Sequence, residues 1–118
     1  MWRITMTEMP PLTPAAFHIL LALAGGERHG YGIMQEVLAL TGGAMRLGPG
    51  TLYGTVGRLL AAQLIAEVAE RPDPALDDER RRYYRLTPAG ERAAADEARR
   101  LADLVRIARA RHLLGTHE

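Results

Sequence analysis

The sequence holds 118 residues, 47% hydrophobic and 25% charged, which fits one folded domain and excludes a disordered, collagen-like or low-complexity chain. It contains no cysteine and no serine, so disulfides, thiolate metal sites, iron-sulfur clusters and cysteine or serine nucleophiles are excluded. Fifteen basic residues, all arginine, face fourteen acids for a net charge of +1, so any nucleic-acid binding rests on where guanidinium groups sit, not on total charge.

Residues 1–11 read as a flexible N-terminal segment, since Met6 and Met9 are alternative starts and the opening residues lack the features of a secretory signal. The longest apolar run, Ala15 to Ala24, is broken by His18 and is too short to cross a bilayer, which makes the cytoplasm the expected location. Thr13-Pro14 marks a helix start, with threonine able to cap free amides and proline suited to the first helical position. The helix from Pro14 to Ala24 is apolar on nearly every side, which predicts burial all round and a second subunit over the face that one small domain cannot cover. Phe17 and Leu20 are the residues expected at that subunit contact. His18, within this helix, is expected to be a hydrogen-bonded core or interface histidine.

Gly25 to Gly30 reads as a turn, followed by a helix from about Tyr31 to Leu40 that Thr41-Gly42-Gly43 ends. His29 stands at its start, where capping or packing is expected of it rather than catalysis. A third helix begins at Pro49 and carries a buried stripe of Leu52, Val56, Leu59 and Leu60 to about Ala62. Its other face presents Thr51, Gly54, Thr55 and Arg58 with Tyr53 at the edge, a small polar surface with one cation. Leu64–Val68 and Arg80–Leu86 are strand candidates joined by a proline- and acid-rich loop, together forming one hairpin. Alternation along the second strand puts Arg80 and Arg82 on the face opposite Arg81. Thr87-Pro88 repeats the capping signal and opens the longest helix, to about Leu114. On it Ala94, Ala98, Leu101, Val105, Ala108 and His112 recur at steps of four and three, a coiled-coil seam too rich in alanine to hold two chains alone. Leu104, Ile107 and Leu114 add a second apolar row, so this helix is expected to pack on both its own domain and a partner. His112 and His117 point in different directions on a helix, and no metal or cofactor site is expected.

The expected fold is mainly α with a small β-hairpin, a winged helix-turn-helix over residues 12–87 followed by a C-terminal dimerisation helix over residues 88–118. Leu12-Thr13-Pro14, His29-Gly30-Tyr31-Gly32-Ile33, Leu47-Gly48-Pro49-Gly50-Thr51-Leu52-Tyr53 and Arg82-Tyr83-Tyr84-Arg85-Leu86-Thr87-Pro88-Ala89-Gly90 occur in order and at intervals that together resemble the PadR family of bacterial transcriptional regulators. The resemblance spans about Leu12 to Leu114 and is closest to the short subgroup with one helix after the wing. It implies a homodimeric regulator of double-stranded DNA, most often a repressor. The third helix would enter the major groove, and the wing would approach the adjacent backbone or minor groove.

That reading assigns DNA contact to Thr51, Tyr53, Gly54, Thr55, Arg58, Arg80 and Arg82, and dimerisation to Phe17, Leu20, Leu101, Leu104, Val105 and Ala108. Gly54 and Gly57 each cost about 1 kcal/mol of helix propensity, explained either by close approach to DNA or by tolerance in tertiary packing. The wing arginines either face phosphates or pair with neighbouring acids. Tyr83 and Tyr84 divide between the underside and the surface of the wing. Gln63 stands where the family usually has glycine, which predicts a tighter or differently capped turn. Some relatives stack flat aromatic compounds on a tryptophan of the last helix. Here that helix has no aromatic residue, so a small-molecule effector would have to use Phe17, the apolar rows of the first and last helices, or Trp2. The alternative function is a winged-helix module that binds a protein partner without DNA. An enzyme fits least, as there is no phosphate-binding glycine loop and no His-x-x-x-His pair.

Overall fold

Threonine and proline open the first and last helices as their chemistry predicts. In the computed structural model, which describes residues 12–68 and 82–115, α1 spans Pro14–Ala24 and the Thr13 Oγ1 accepts the Ala16 N–H at 3.1 Å. The last helix, α4 (Pro88–Ala110), is capped in the same way, with Thr87 Oγ1 accepting the Gly90 N–H at 3.0 Å. Between them lie β1 (Arg28–His29), α2 (Gly30–Leu40), α3 (Pro49–Ala61), β2 (Ile65–Val68) and β3 (Tyr83–Leu86). The sheet is antiparallel with order β1-β3-β2, so β3 is central. Ile65 pairs with Leu86 and Val68 with Tyr83 on one side, while Arg28 pairs with Tyr84 and His29 with Tyr83 on the other.

Strand β1 corrects the expected two-stranded hairpin. Residues 25–30 are more than a turn, because two of them add an edge strand to the wing. Two residues carry no alternation signal of their own and become a strand only through pairing with Tyr83 and Tyr84.

The core forms where α1 crosses α2, α3 and the sheet. Ile19, Leu20, Ile33, Leu52 and Val37 are fully buried and Ile65 nearly so, each contributing about 1.5–3 kcal/mol of apolar burial. Helix α1 is not buried all round, since Leu21 and Ala24 are exposed and Phe17 and His18 half-buried. His18 Nδ1 donates to the Pro14 carbonyl at 2.7 Å. Leu20 belongs to the core of its own domain, with no exposed surface for a second subunit, which corrects its assignment to the dimer contact.

The chain leaves α3 through a left-handed residue. Gln63 has φ 61°, its N–H donates to the Leu60 carbonyl at 3.0 Å, and the Leu64 N–H reaches the Leu59 carbonyl at 3.0 Å. These two bonds define a Schellman ending, where glycine is usual because a Cβ in this region costs about 1 kcal/mol. The expected change of capping at Gln63 is therefore a glutamine held in a glycine conformation. Helix α2 ends alike through Gly42 at φ 61°. Helix α4 ends at Ala110 rather than near Leu114, because His112 at φ 63° turns the chain and Leu113 N–H caps the Ala108 carbonyl at 2.9 Å.

The turn after α3 is also the root of α4. Thr87 Oγ1 donates to the Gln63 carbonyl at 2.7 Å, and Thr87 N–H donates to the Leu64 carbonyl at 3.1 Å. Gly90 then lies so close that a Cβ there would overlap the Leu64 carbonyl oxygen. Two turns further, Glu97 is 6% exposed, chelates Arg100 with both carboxylate oxygens, and accepts the Leu12 N–H at 3.4 Å. The Arg100 hydrogen bond holds the Glu97 carboxyl below its ordinary value against the opposing effect of burial, with the Leu12 amide adding to the lowering.

Candidate nucleic-acid interface

Helix α3 owes its orientation to one stripe. Leu52, Thr55, Val56 and Leu59 recur at helical spacing and are all buried, which forces the opposite side of the helix outward. Gly50, Gly54, Gly57 and Ala61, spaced four, three and four, share that outer side and are exposed. A Cβ at Gly50 or Gly57 would meet nothing within 4 Å, and one at Gly54 would meet only Arg58 Nη1, at 3.7 Å. Tertiary packing of the described residues therefore explains none of these glycines.

Thr51 and Arg58 border the bare strip and are exposed. Arg58 Nη2 donates to Thr55 Oγ1 at 3.2 Å, so the guanidinium lies along the strip with other donors outward. Two assignments change here. Thr55 is 2% exposed and its hydroxyl serves Arg58, so it supports the cation from beneath rather than reaching a groove. Its position between Leu52 and Leu59 on the apolar stripe carried that signal, masked by a polar side chain. Tyr53 is half-buried with its ring against Gly30, where a Cβ would overlap the ring, so it braces α3 on α2.

The start of α3 differs from the other three helix starts. Thr13, His29 and Thr87 cap their helices with side-chain acceptors, whereas Gly48 offers none. The early amides of α3 are left with the positive end of the helix dipole beside them.

The wing brings Arg82 and Arg85 to the surface. Arg82 Nε lies 3.7 Å from Glu67 Oε1 with both side chains about half exposed, an ion pair worth roughly 0–1 kcal/mol that leaves the arginine free to exchange partners. Arg80 lies outside the described residues. Tyr84 is buried beneath the sheet and Tyr83 sits nearer the surface against His29, the expected division.

Helix α4 has two parts. Ala93 and Glu97 face the core, but beyond them the same side projects past the domain, and Leu104, Val105 and Ile107 are 50%, 41% and 46% exposed. Leu101 and Ala108 are half-buried on this face and Phe17 half-buried on α1.

A groove of about 160 Å³ between α2 and the segment entering α3 is lined by Tyr31, Met34, Gln35, Leu38, Arg46 and Leu47, below the roughly 300–1,000 Å³ of ordinary ligand pockets. Among the described residues no group of three His, Asp or Glu side chains could hold a metal ion, and no helix is long and apolar enough to cross a membrane.

Residues 19–96 match the Transcriptional regulator PadR-like family. Over 89 residues the chain is 42% identical to Transcriptional regulator Rv3488 of Mycobacterium tuberculosis, covering 75% of this chain and 77% of that protein. Over 86 residues it is 41% identical to an uncharacterized 37.1 kDa protein in transposon TN4556 of Streptomyces fradiae, covering 73% of this chain and only 22% of the relative's length. A PadR family transcription regulator from Clostridium difficile has the same fold, with a TM-score of 0.68 at 19% identity over 83% of this chain and 97% of that one.

Proposed function

The chain belongs to the PadR-like family of transcriptional regulators, and from that premise we propose that it is a homodimeric repressor that binds a twofold-symmetric operator in double-stranded DNA. The observation that carries the reading is the outer strip of α3. Glycines that cost helix propensity where an added Cβ would meet at most the Arg58 side chain are explained by a partner that must approach the backbone closely, and the floor of a major groove is such a partner. Thr51 and Arg58 supply donors beside the strip, and a phosphate would satisfy the uncapped start of the helix. Arg82 on the wing contacts the backbone alongside.

The exposed apolar row of α4 supports the homodimer in this reading. Two copies joined through Phe17, Leu101, Leu104, Val105 and Ala108 cover apolar side chains that one copy leaves in water. A twofold pair of α3 helices then matches half-sites about one helical turn, roughly 10 base pairs, apart or a multiple of it.

Anisotropy titration of a labelled random duplex at low salt, followed by selection from a random-sequence library, tests the reading. Micromolar binding and a palindromic consensus are expected. A folded protein that binds no duplex at tens of micromolar defeats it and favours the protein-binding module instead. A reporter behind the selected operator should rise when the protein is removed, and a fall would make the protein an activator.

A further inference from the structure

His29, Gly30 and Gly32, at the start of α2, join α2 to α3 and to the wing. The backbone of His29 pairs with Tyr83 in the central strand of the wing. The His29 side chain caps α2, with Nδ1 accepting the Gly32 N–H at 2.9 Å, so the ring proton resides on Nε2. The same ring meets Tyr83 edge to face, with centroids 5.2 Å apart and planes at 70°. It lies over Gly32, where a Cβ would stand 3.4 Å from His29 Cε1. Next to it, Gly30 receives the Tyr53 ring of α3.

The ladder between β1 and β3 has only two residue pairs, so backbone bonds alone hold this edge of the wing weakly. The imidazole adds a fixed side-chain contact at the place where α2, α3 and the wing meet. We propose that His29 is a positioning residue for DNA recognition: without touching DNA, it fixes the wing at the angle to α3 at which both reach one operator half-site. The inference rests on the DNA-binding reading above. It predicts a loss of discrimination rather than of general attraction, because random duplex is bound through charge wherever the wing stands, whereas an operator demands both elements in register.

Four proteins test it: the parent, His29→Asn, which keeps a capping acceptor but removes the ring, Tyr83→Leu, which keeps apolar bulk but removes the aromatic edge contact, and the double variant. Affinities for the selected operator and for random duplex of equal length are measured at one salt concentration, well below the melting temperature of each protein. Each variant should lose about three- to tenfold in the ratio of operator to random affinity, the worth of one aromatic pair, while random-duplex affinity stays within about twofold. The double variant should lose no more than either single one, since both remove the same contact. Hydrogen exchange of amides in residues 65–68 and 83–86 should quicken while that in α1 stays unchanged.

A His29→Asn protein that discriminates like the parent defeats the inference and leaves DNA binding standing. Parallel loss of operator and random affinity, in step with a lower melting temperature, also defeats it, by reducing His29 to a structural cap. A parent that binds no duplex defeats the DNA reading and this inference with it.

Discussion

Helices α3 and α4 both carry glycine where alanine would make a stronger helix, for opposite reasons. In α4, Gly90 is pressed against the Leu64 carbonyl, and a single methyl group would push the helix off its root. In α3, Gly54 and Gly57 stand clear of the domain, and methyl groups there would meet ordinary contact or open space. The first glycine serves the fold, whereas the packing of the described residues gives no reason for the other two. A residue type that looks alike in sequence thus divides into packed and unpacked positions once its surroundings are known.

Substitutions at these sites can break the contrast. Gly90→Ala should lose about 3 kcal/mol of stability in urea denaturation, because the obstacle is backbone and cannot rotate away. A loss under about 1 kcal/mol would mean that α4 can shift at its root. The double variant Gly54→Ala with Gly57→Ala should move the other way, gaining about 2 kcal/mol while binding its operator at least tenfold more weakly. Unchanged operator affinity there would separate the bare strip from DNA contact.

Smaller changes sharpen the boundary between the two helices. Gln63→Gly relieves the left-handed residue that links them and should raise stability by about 0.5 kcal/mol, whereas Gln63→Ala should leave it nearly unchanged. Least in size is the pH dependence from Glu97. Its carboxyl is held low in the folded state, so its contribution is complete above the ordinary carboxylate value of 4.5 and fades as pH falls through the lower folded value. Melting temperatures of the parent and Glu97→Gln should differ at neutral pH and converge as the pH falls below the ordinary carboxylate value. A gap that stays constant across the range would place the origin of the difference in packing.

Much of the fold was legible because its helices begin with strong local chemistry. Thr13-Pro14, Pro49 and Thr87-Pro88 act within one turn and need no distant partner, so α1, α3 and α4 start where the sequence places them. Strand β1 was hidden, since a two-residue edge strand is defined by Tyr83 and Tyr84 more than fifty positions away. At the site, Thr51, Gly54 and Arg58 face outward as residue type and spacing suggest. Thr55 and Leu20 were misjudged for one physical reason: the side chain suggested a role that the helical phase denied. A threonine at the centre of an apolar stripe is buried whatever its hydroxyl could offer a phosphate. A leucine on a broadly apolar helix goes to whichever neighbour claims that side, here the domain's own core.

The knot formed by Gln63, Leu64, Thr87 and Gly90 gives α4 the mechanics of a lever. The residues that close α3 also seat α4, a rod of 23 residues, or about 35 Å at the rise of an α-helix. Each degree of tilt at that seat displaces the far end by about 0.6 Å. In a pair joined through the outer parts of these rods, the gap between the two α3 helices is therefore set by a fulcrum a few atoms wide. Tolerance in operator spacing becomes a question of how stiff one threonine and one glycine make that fulcrum.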